Sequence, residues 1–436
     1  QETIYDYGAP EDTNRGRLQS ITITDKIGGE PNRVTTFTYP VITNTAEGSE
    51  LVRKVVINGP RTDVSELTTI EYDSAGHLTK VIDAAGFQTT FSNFDAYGRA
   101  RRIEYPSGMV TNLVYNHRGW LLSKTDVVNS KRIGSSASHV QNRTTTYDYK
   151  PDGDLERITF PDSSYLVFHY ESNGRLFSIE NALDELLVFT YDVAGNIRRK
   201  KNQHYETVSS VRWTCCDGEG QLYPIFTTET VAVTDREIQY EYDALNRLEK
   251  IIDGNGNDSL IRYNKNDLVR LIQDAKGNQT DQSYNARNEL DRIDNPDGGI
   301  VAMDYDDNGL LDSVTDAIGV ATAFSRNGYG EIKTETSPDS GAWNYQYDTA
   351  GNLKKTIDAR GYGTDYFYDA LNRLKRIDHP TGPATHYTYN TSTGWLDQAT
   401  DDSGTTSFQR DDTGAVTRKT ANVAGVAMVT EYQYDV

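Results

Sequence analysis

The sequence predicts an all-β protein in which tandem β-hairpin repeats form one continuous antiparallel sheet. The segment Tyr-Asp-Ala-Leu-Asn-Arg-Leu occurs at residues 242–248 and again, unchanged, at 368–374. Between and beyond these copies, tyrosine or arginine begins the same frame every 21 residues as far as Arg410. The 35 glycines and only 3 methionines favour turns and strands over helical bundles. Because strands twist, so long a sheet should curl into a spiral or hollow barrel-like shell.

Each repeat is predicted to be strand, turn, strand, turn. An apolar or aromatic residue two positions before the frame residue, as at Tyr240 before Tyr242, places both side chains on one strand face. Glycine or asparagine four positions after the frame residue, as at Gly195 and Asn246, suits the positive φ of a hairpin turn. A leucine or isoleucine two positions further on begins the second strand. Hairpins placed side by side supply each other's ladder bonds.

The frame also runs upstream, where two insertions interrupt its spacing. The predicted organisation is degenerate repeats at 1–65, repeats at 66–199 with a polar insertion near 129–141, an insertion loop at 200–237, and regular repeats at 238–436. The structural aromatic residues predicted from the frame are Tyr72, Phe94, Tyr115, Tyr147, Tyr170, Tyr191, Tyr242, Tyr263, Tyr284, Tyr305, Tyr347, Tyr368, Tyr389 and Tyr434.

Charge and composition exclude several classes of function. The chain has 44 Lys and Arg against 64 Asp and Glu, which gives a formal net charge of −20. Nucleic-acid binding driven by electrostatics needs a positive face, so we expect no nucleic-acid partner. No run of eighteen apolar residues occurs, so we expect no transmembrane segment. The two cysteines are adjacent, which excludes a disulfide framework but leaves their redox state open.

The larger insertion is the candidate partner-binding loop. It could cap the sheet or bind a partner, although a locally packed excursion explains the same composition. We expect no metal, cofactor or catalytic residue, because the cysteines lack a second pair at metal spacing and no phosphate-binding loop or nucleophile motif occurs. The candidate partner residues are Trp213, Cys215, Cys216, Tyr223 and Phe226.

The repeated motif resembles the tyrosine-aspartate (YD) repeat of the RHS family. Tyr-Asp-Val-Ala-Gly-Asn-Ile at 191–197 and Tyr-Asp-Thr-Ala-Gly-Asn-Leu at 347–353 carry the resemblance together with the two identical segments. It covers residues 66–436 and extends into the more degenerate start. The resemblance implies a hollow β-strand shell like those of bacterial RHS toxins, toxin-complex shell components and teneurins. Bacterial members with a cargo usually carry an Asp-Pro-rich autoprotease motif, and this chain has no Asp-Pro dipeptide.

The resemblance leads us to expect a non-catalytic shell or scaffold segment of a secreted or cell-surface bacterial protein, enclosing or presenting a partner or toxin cargo. The expected partners are further β-repeats of the same protein or neighbouring copies, an encapsulated polypeptide, or a cell-surface glycan or protein. One alternative is an adhesion or glycan-binding module that uses the aromatic face or the insertions. A carbohydrate-active enzyme is a third interpretation, which needs paired carboxylates in a cleft.

Overall fold

A computed structural model describes residues 1–9, 16–25, 29–44, 50–131, 138–214 and 223–434. These residues form 35 β-strands that belong to one antiparallel sheet. Within the described residues, the first strand, β1 (Glu2–Tyr7), and the last, β35 (Val426–Glu431), each pair on one side, so the sheet is not closed. The predicted all-β class of tandem hairpins in one antiparallel sheet is confirmed. The described residues include no helix long and apolar enough to cross a membrane.

The chain divides into two compact units. Unit 1 comprises residues 1–144, 304–315 and 319–436, and unit 2 comprises residues 145–303 and 316–318. The strands of unit 1 besides β1 and β35 are β2 (Leu18–Thr24), β3 (Arg33–Asn44), β4 (Glu50–Asn58), β5 (Leu67–Tyr72), β6 (Leu78–Ile82), β7 (Gln88–Ser92), β8 (Arg102–Glu104), β9 (Val110–Tyr115), β10 (Leu121–Lys131), β24 (Leu311–Thr315), β25 (Ala321–Arg326), β26 (Ile332–Ser337), β27 (Gly341–Tyr347), β28 (Leu353–Ile357), β29 (Gly363–Tyr368), β30 (Leu374–Asp378), β31 (Thr385–Tyr389), β32 (Leu396–Asp401), β33 (Gly404–Arg410) and β34 (Val416–Val423).

Unit 2 is built in the same way, with each strand paired antiparallel to the next along the chain. Its strands are β12 (Leu155–Thr159), β13 (Tyr165–Tyr170), β14 (Leu176–Asn181), β15 (Leu186–Tyr191), β16 (Ile197–Thr214), β17 (Tyr223–Tyr242), β18 (Leu248–Ile252), β19 (Asp258–Tyr263), β20 (Val269–Gln273), β21 (Gln279–Tyr284) and β22 (Leu290–Asp294), and two strands cross the unit boundaries, β11 (Ser138–Tyr149) and β23 (Ile300–Tyr305).

An aspartate or asparagine side chain fixes the hairpin turn of the repeats, as the turn between β17 and β18 shows. The Asp243 amide donates to the Arg247 carbonyl at 2.9 Å, and the Asn246 amide donates to the Asp243 carbonyl at 3.0 Å. Asp243 Oδ1 accepts the amides of Leu245 and Arg247 at 2.9 and 3.0 Å. Asn246 has φ 61, so the positive-φ prediction is confirmed there. The carboxylate therefore satisfies turn amides that the ladder leaves free.

In eight repeats the tyrosine donates a hydrogen bond to the hairpin before it. Tyr263 Oη donates to the carbonyl of Leu248, the first residue of the preceding second strand, at 2.8 Å. A half-buried hydroxyl needs such a partner, and the bond also fixes the spacing between hairpins. The same bond, at 2.6–3.0 Å, joins Tyr170 to Leu155, Tyr191 to Leu176, Tyr242 to Ile197, Tyr284 to Val269, Tyr368 to Leu353, Tyr389 to Leu374 and Tyr434 to Val416.

An arginine in the turn completes the link between neighbouring repeats. Arg247 Nε donates to Asp243 Oδ2 at 2.8 Å, and its guanidinium lies 4.4 Å from the centre of the Tyr263 ring. The charge is thus held between a carboxylate of its own turn and the π face of the next frame residue. The same arrangement places Arg99 over Tyr115, Arg175 over Tyr191 and Arg373 over Tyr389.

The sheet encloses almost no apolar core. Among the described residues, Val128 is the only apolar side chain that is buried. Most strand side chains with a described exposure are half-buried. The ladder and the bonds between repeats therefore carry the stability that a packed interior supplies in a compact domain.

The segment 200–237, expected to be an insertion loop, differs from that expectation. Its described residues continue β16 and β17 as one long antiparallel ladder, from Arg199 opposite Gln239 to Thr214 opposite Tyr223. Threonine and valine are frequent in both strands, and β-branched residues favour a pleated sheet. The polar insertion near 129–141 likewise begins within β10 and ends within β11.

Replacing Tyr263 by phenylalanine should lower the free energy of unfolding by about 1 kcal/mol, since the ring stays but the bond to the Leu248 carbonyl is lost. Tyr362→Phe is the matched control, because Tyr362 is 49% exposed and its hydroxyl donates no hydrogen bond among the described residues. Urea denaturation of the two variants measures the difference. Equal stability of both variants would show that the hydroxyl does not couple the hairpins.

Gly195 tests the positive-φ turn without a steric complication. Its φ is 93°, and a Cβ added there would meet nothing within 4 Å. Gly195→Ala should lower the free energy of unfolding by about 1–2 kcal/mol through backbone strain alone. Gly195→Asn should lose less, because asparagine already occupies the equivalent position at Asn246, Asn288 and Asn372. Urea denaturation ranks the three proteins, and an alanine variant as stable as the parent would refute the argument.

Candidate functional site

The candidate site lies within unit 1, where early residues of the chain contact the turns of four late repeats. We call it the seam. Its early side comprises residues 23–25, 29–33, 59–66 and Phe87, and its late side comprises the turns at 327–331, 348–352, 368–373 and 390–394. The contacts join residues about 300 positions apart, and the described strands of the two sides do not pair with each other across it. Side chains therefore hold the two sides together.

Arg33, at the start of β3, binds the first of these turns. Its Nη2 lies 2.7 Å from both carboxylate oxygens of Glu331, and both side chains are more than four-fifths buried. The guanidinium also lies 4.0 Å from the centre of the Tyr329 ring. Tyr329 Oη in turn donates to the Pro31 carbonyl at 2.6 Å. One arginine therefore receives a carboxylate and a π face from the same turn.

Gly328 allows the two sides to approach at this turn. A Cβ built on Gly328 would lie 1.5 Å from Asp25 Oδ1 and 3.2 Å from its Cα. Any other residue would force the Asp25 side chain to move. Nearly all repeats have a residue with a side chain at this position, such as Ala244 and Ala370. The glycine therefore serves the close approach rather than the turn.

Arg61 is the centre of the seam. Its side chain is 3% exposed, and its Nη1 donates to the Asp369 carbonyl at 2.6 Å and to Asn372 Oδ1 at 3.1 Å. Its Nη2 donates to Asp63 Oδ2 at 2.7 Å, and its Nε lies 3.5 Å from Asp348 Oδ2. The guanidinium thus joins its own loop to two successive late turns. A buried charge with this many partners is stabilising only while they remain in place.

Electrostatics keep the Arg61 cluster ionised at neutral pH. Burial opposes the charge on Arg61, but the hydrogen bond to Asp63 and the charges of Asp63, Asp348 and Glu66 outweigh it and raise the arginine pKa. The hydrogen bond from Arg61 lowers the pKa of Asp63 in turn. Because a lowered carboxylate pKa stabilises the folded state only while the group is ionised, this contribution is lost as pH falls through the folded-state pKa of Asp63.

Glu66 connects the same late turn to the loop that carries Arg61. Its Oε2 accepts the Arg61 amide at 2.9 Å, and its Oε1 accepts the Asn372 side-chain amide at 2.7 Å. Glu66 is 8% exposed. A Cβ on Gly59 would lie 2.2 Å from Glu66 Oε2, so any other residue there would displace the Glu66 carboxylate. Both buried charges of the loop are therefore satisfied across the seam.

Phe87 forms the last contact of the seam. A Cβ on Gly394 would lie 3.0 Å from the Phe87 ring, and the Arg373 guanidinium lies 5.9 Å from the centre of that ring. Arg373 Nη1 also donates to the Gly394 carbonyl at 2.5 Å. This end of the seam is therefore aromatic, whereas its centre is ionic.

The polar side chains of the seam form hydrogen bonds and ion pairs with one another, not the arrangement of a recognisable reaction centre. Its carboxylates accept hydrogen bonds from arginine, amide or backbone groups, and its arginines are held in those same bonds. The described residues contain no group of three or more His, Cys, Asp and Glu side chains that could hold a metal ion. The arrangement can fix the two sides of unit 1 relative to each other, and side chains committed in this way are poorly placed for acid–base catalysis.

Most of the predicted frame aromatics lie where the repeat places them. Tyr72, Tyr191, Tyr242, Tyr263, Tyr284, Tyr347, Tyr368 and Tyr389 each follow a β-bulge at the end of a first strand. Phe94 follows β7 instead, and its ring stacks on His77 at 4.7 Å between centres. Tyr115, Tyr170 and Tyr305 end their strands, and Tyr434 follows β35.

The prediction of Tyr147 as a frame residue is wrong by two positions. The bulge falls between Asp148 and Tyr149, and Tyr149 pairs with Leu155. The Leu155 carbonyl accepts a hydrogen bond from the Tyr170 hydroxyl. Tyr170 is 21 residues, or one repeat, after Tyr149. Residues 147 and 148 are Tyr-Asp, as in the repeat motif, whereas the true frame residue, Tyr149, is followed by Lys150.

The candidate partner residues lie at the far end of the β16–β17 hairpin. Trp213 is the second-last residue of β16, and Tyr223 and Phe226 lie in β17, where Trp213 pairs with Pro224. Cys215 and Cys216 lie outside the described residues. The role of these five residues as a partner site stays a prediction.

Sequence analysis missed the residues of the seam. The early side lies in the degenerate N-terminal region, where no frame could be assigned, and its partners are ordinary turn residues of regular repeats. One signal was present, since the turn at 327–331 reads Asn-Gly-Tyr-Gly-Glu and has glycine where nearly all other repeats have a side chain. An isolated glycine of this kind indicates a close backbone approach.

The fold and the seam define a repeat protein in which side chains join successive hairpins of one continuous sheet. Comparison with known families gives the same class: the teneurin YD-shell family matches residues 11–272, and the RHS repeat matches residues 347–385. The first match covers more than half of the chain. The chain therefore belongs to the teneurin YD-shell family.

Three curated relatives are similar over part of their length. The chain is 26% identical over 157 residues to double-stranded DNA deaminase toxin A of Burkholderia cenocepacia, which aligns 31% of this chain with 8% of that protein. It is 24% identical to probable deoxyribonuclease RhsB of Dickeya dadantii, with 49% of this chain and 15% of that protein aligned. For human teneurin-4 the identity is 24%, with 38% and 6% aligned. The chain thus spans a small part of each relative.

Solved structures give a weaker likeness. The crystal structure of TcdB2-TccC3-TEV aligns with 98% of this chain and 32% of its own, at 11% identity and a TM-score of 0.32. The Photorhabdus luminescens Tc holotoxin pore, with the TccC3 mutation D651A, aligns with 99% of this chain and 31% of its own, at 11% identity and a TM-score of 0.31.

Arg61→Ala should lower the free energy of unfolding by about 3 kcal/mol, because it removes one member of a buried ionic cluster. Arg360→Ala is the matched control. Arg360 also pairs with an aspartate two residues away, Asp358, but its side chain is 78% exposed, so the loss should be about 0.5 kcal/mol or less. Urea denaturation measures both.

Hydrogen exchange locates the effect of the same substitution. The amides of residues 369–373 should exchange faster in the Arg61 variant, since Arg61 binds the Asp369 carbonyl, whereas the turn at 285–289 in unit 2 should be unchanged. Equal exchange at 369–373 in the parent and the variant would show that the seam does not hold this turn.

Proposed function

We propose that this chain is a non-catalytic shell or scaffold segment of a secreted or cell-surface RHS-repeat protein, and that the shell encloses a polypeptide partner. One observation carries the proposal. The side chains that define the repeat, tyrosine, aspartate and arginine, bind their own turn or a neighbouring hairpin, and those of the seam bind the late turns of unit 1. The polar side chains of the repeat and of the seam are thus engaged in bonds that hold the structure together.

The comparisons support the proposal. The family match is to a YD-shell, and the chain spans between 6% and 15% of the length of the three curated relatives. Two of those relatives are named for an activity on DNA. A segment that is similar to a small part of such proteins fits a role in housing another polypeptide, with any chemistry placed elsewhere in the protein.

Protection from proteolysis tests enclosure. The full-length protein that carries this segment is digested with a broad-specificity protease, and surviving peptides are identified by mass spectrometry. We expect polypeptide outside the repeat sequence to survive in the parent protein and in Arg360→Ala. The same polypeptide should be digested in Arg61→Ala, because weakening the seam should admit the protease.

Three outcomes are distinguishable. Equal loss of the non-repeat polypeptide in all three proteins would contradict enclosure. Its equal survival in all three would contradict the role of the seam in keeping the protease out. Specific binding on a glycan array by a protein without a protected polypeptide would favour the adhesion alternative instead.

A further inference from the structure

A carboxylate interrupts the aromatic and aliphatic row on one face of unit 1. In many repeats, the residue nine positions after the frame residue is valine or isoleucine, as at Ile251 and Ile377, and it pairs directly with an apolar or aromatic residue of the preceding strand. In the repeat that begins at Arg326, this position is Glu335. Glu335 lies in β26 opposite Phe324 of β25 on one side and Trp343 of β27 on the other.

The pairing places the carboxylate between two aromatic rings. Residues directly opposite in neighbouring antiparallel strands point to the same face, with Cβ atoms about 5 Å apart. A third aromatic residue, Tyr345, lies two positions after Trp343 and therefore on the same face. Its Oη donates to Glu335 Oε2 at 3.0 Å. Burial and this hydrogen bond raise the pKa of Tyr345 to about 12, so the tyrosine keeps its proton and remains the donor.

Within the described part of the chain, Glu335 has no cation partner, unlike two other strand carboxylates of unit 1. Glu71 lies 3.3 Å from Lys54, and Asp365 lies 3.2 Å from Lys355. Among the described residues, no lysine, arginine or histidine pairs with Glu335, whose one hydrogen bond comes from Tyr345. A carboxylate can accept about four hydrogen bonds. Its charge and most of its acceptor capacity are therefore free for a ligand.

We propose that Glu335, Trp343 and Tyr345 form a binding site for an alkylammonium group, such as a lysine side chain or choline. The Phe324 ring lies beside them, and the Arg326 guanidinium is 5.9 Å from its centre. The carboxylate supplies the opposite charge, and the aromatic faces attract the same cation while covering its methyl or methylene groups. A metal ion fits poorly, because calcium takes six to eight oxygen ligands and this cluster offers one carboxylate and one phenol. The site does not rest on the proposed shell function, since its binding can be measured whether or not a polypeptide is enclosed.

Ligand-observed NMR titration tests the site with three probes at constant ionic strength. Choline chloride and n-butylammonium chloride carry the quaternary and the primary ammonium group, and 3,3-dimethyl-1-butanol is the neutral isostere of choline. We expect saturable binding of at least one cation with a dissociation constant of about 1 mM. A preference for n-butylammonium would indicate lysine side chains as the natural ligand, and a preference for choline would indicate a quaternary amine.

Glu335→Gln should weaken cation binding by at least about tenfold, because it removes the charge at constant shape. The amide oxygen can still accept the Tyr345 hydroxyl, so the variant should remain folded with unchanged tryptophan fluorescence. Glu249→Gln is the matched control, since Glu249 already pairs with Arg262, and it should leave binding unchanged. The proposal is overturned if Glu335→Gln binds as tightly as the parent, if the neutral alcohol competes equally, or if neither cation binds.

Discussion

The hydrogen bond that the tyrosine of eight repeats donates to the preceding hairpin is the constraint on which the sheet depends. A ladder alone fixes neighbouring strands, but it leaves the spacing of successive hairpins to side-chain packing, and this sheet has almost no buried core to provide that packing. The bond from Tyr263 to Leu248 fixes the distance between successive hairpins. Asp243 closes the turn, and Arg247 contacts both Asp243 and the ring of Tyr263. Tyrosine, aspartate and arginine therefore act together to close each turn and to join it to the next hairpin.

The seam solves a different problem with different residues. Repeats contact their immediate neighbours, and a one-dimensional array of that kind gains nothing from residues hundreds of positions away. In unit 1, Arg33, Arg61 and Glu66 provide such long-range contacts by binding turn groups that the repeat itself leaves available, such as the Asp369 carbonyl. The late turns thus serve two purposes, since each closes its own hairpin and offers acceptors to the early side.

The sequence alone predicted the repeat well and the seam not at all. The turn chemistry could be read because glycine or asparagine at positive φ, as at Gly195 and Asn246, is a local requirement with a fixed period. The frame failed at Tyr147, where a Tyr-Asp dipeptide lies two residues from the bulge that defines the true position at Tyr149. Arg61 carries no periodic signal, because its partners are close only in the folded chain. Glu335 could not be identified from the sequence for the same reason, because its aromatic neighbours lie on the adjacent strands.

Arg326 stands where most repeats have tyrosine, and its Nε and Nη2 both lie 3.3 Å from the Leu311 carbonyl, the acceptor that a tyrosine would use. In this repeat an arginine thus replaces the tyrosine as the hydrogen-bond donor, without an aromatic ring. Searches that score amino-acid identity will undercount such units in distant homologues. A profile that treats long donors as interchangeable here should recover them, and would extend the recognisable boundaries of proteins built in this way.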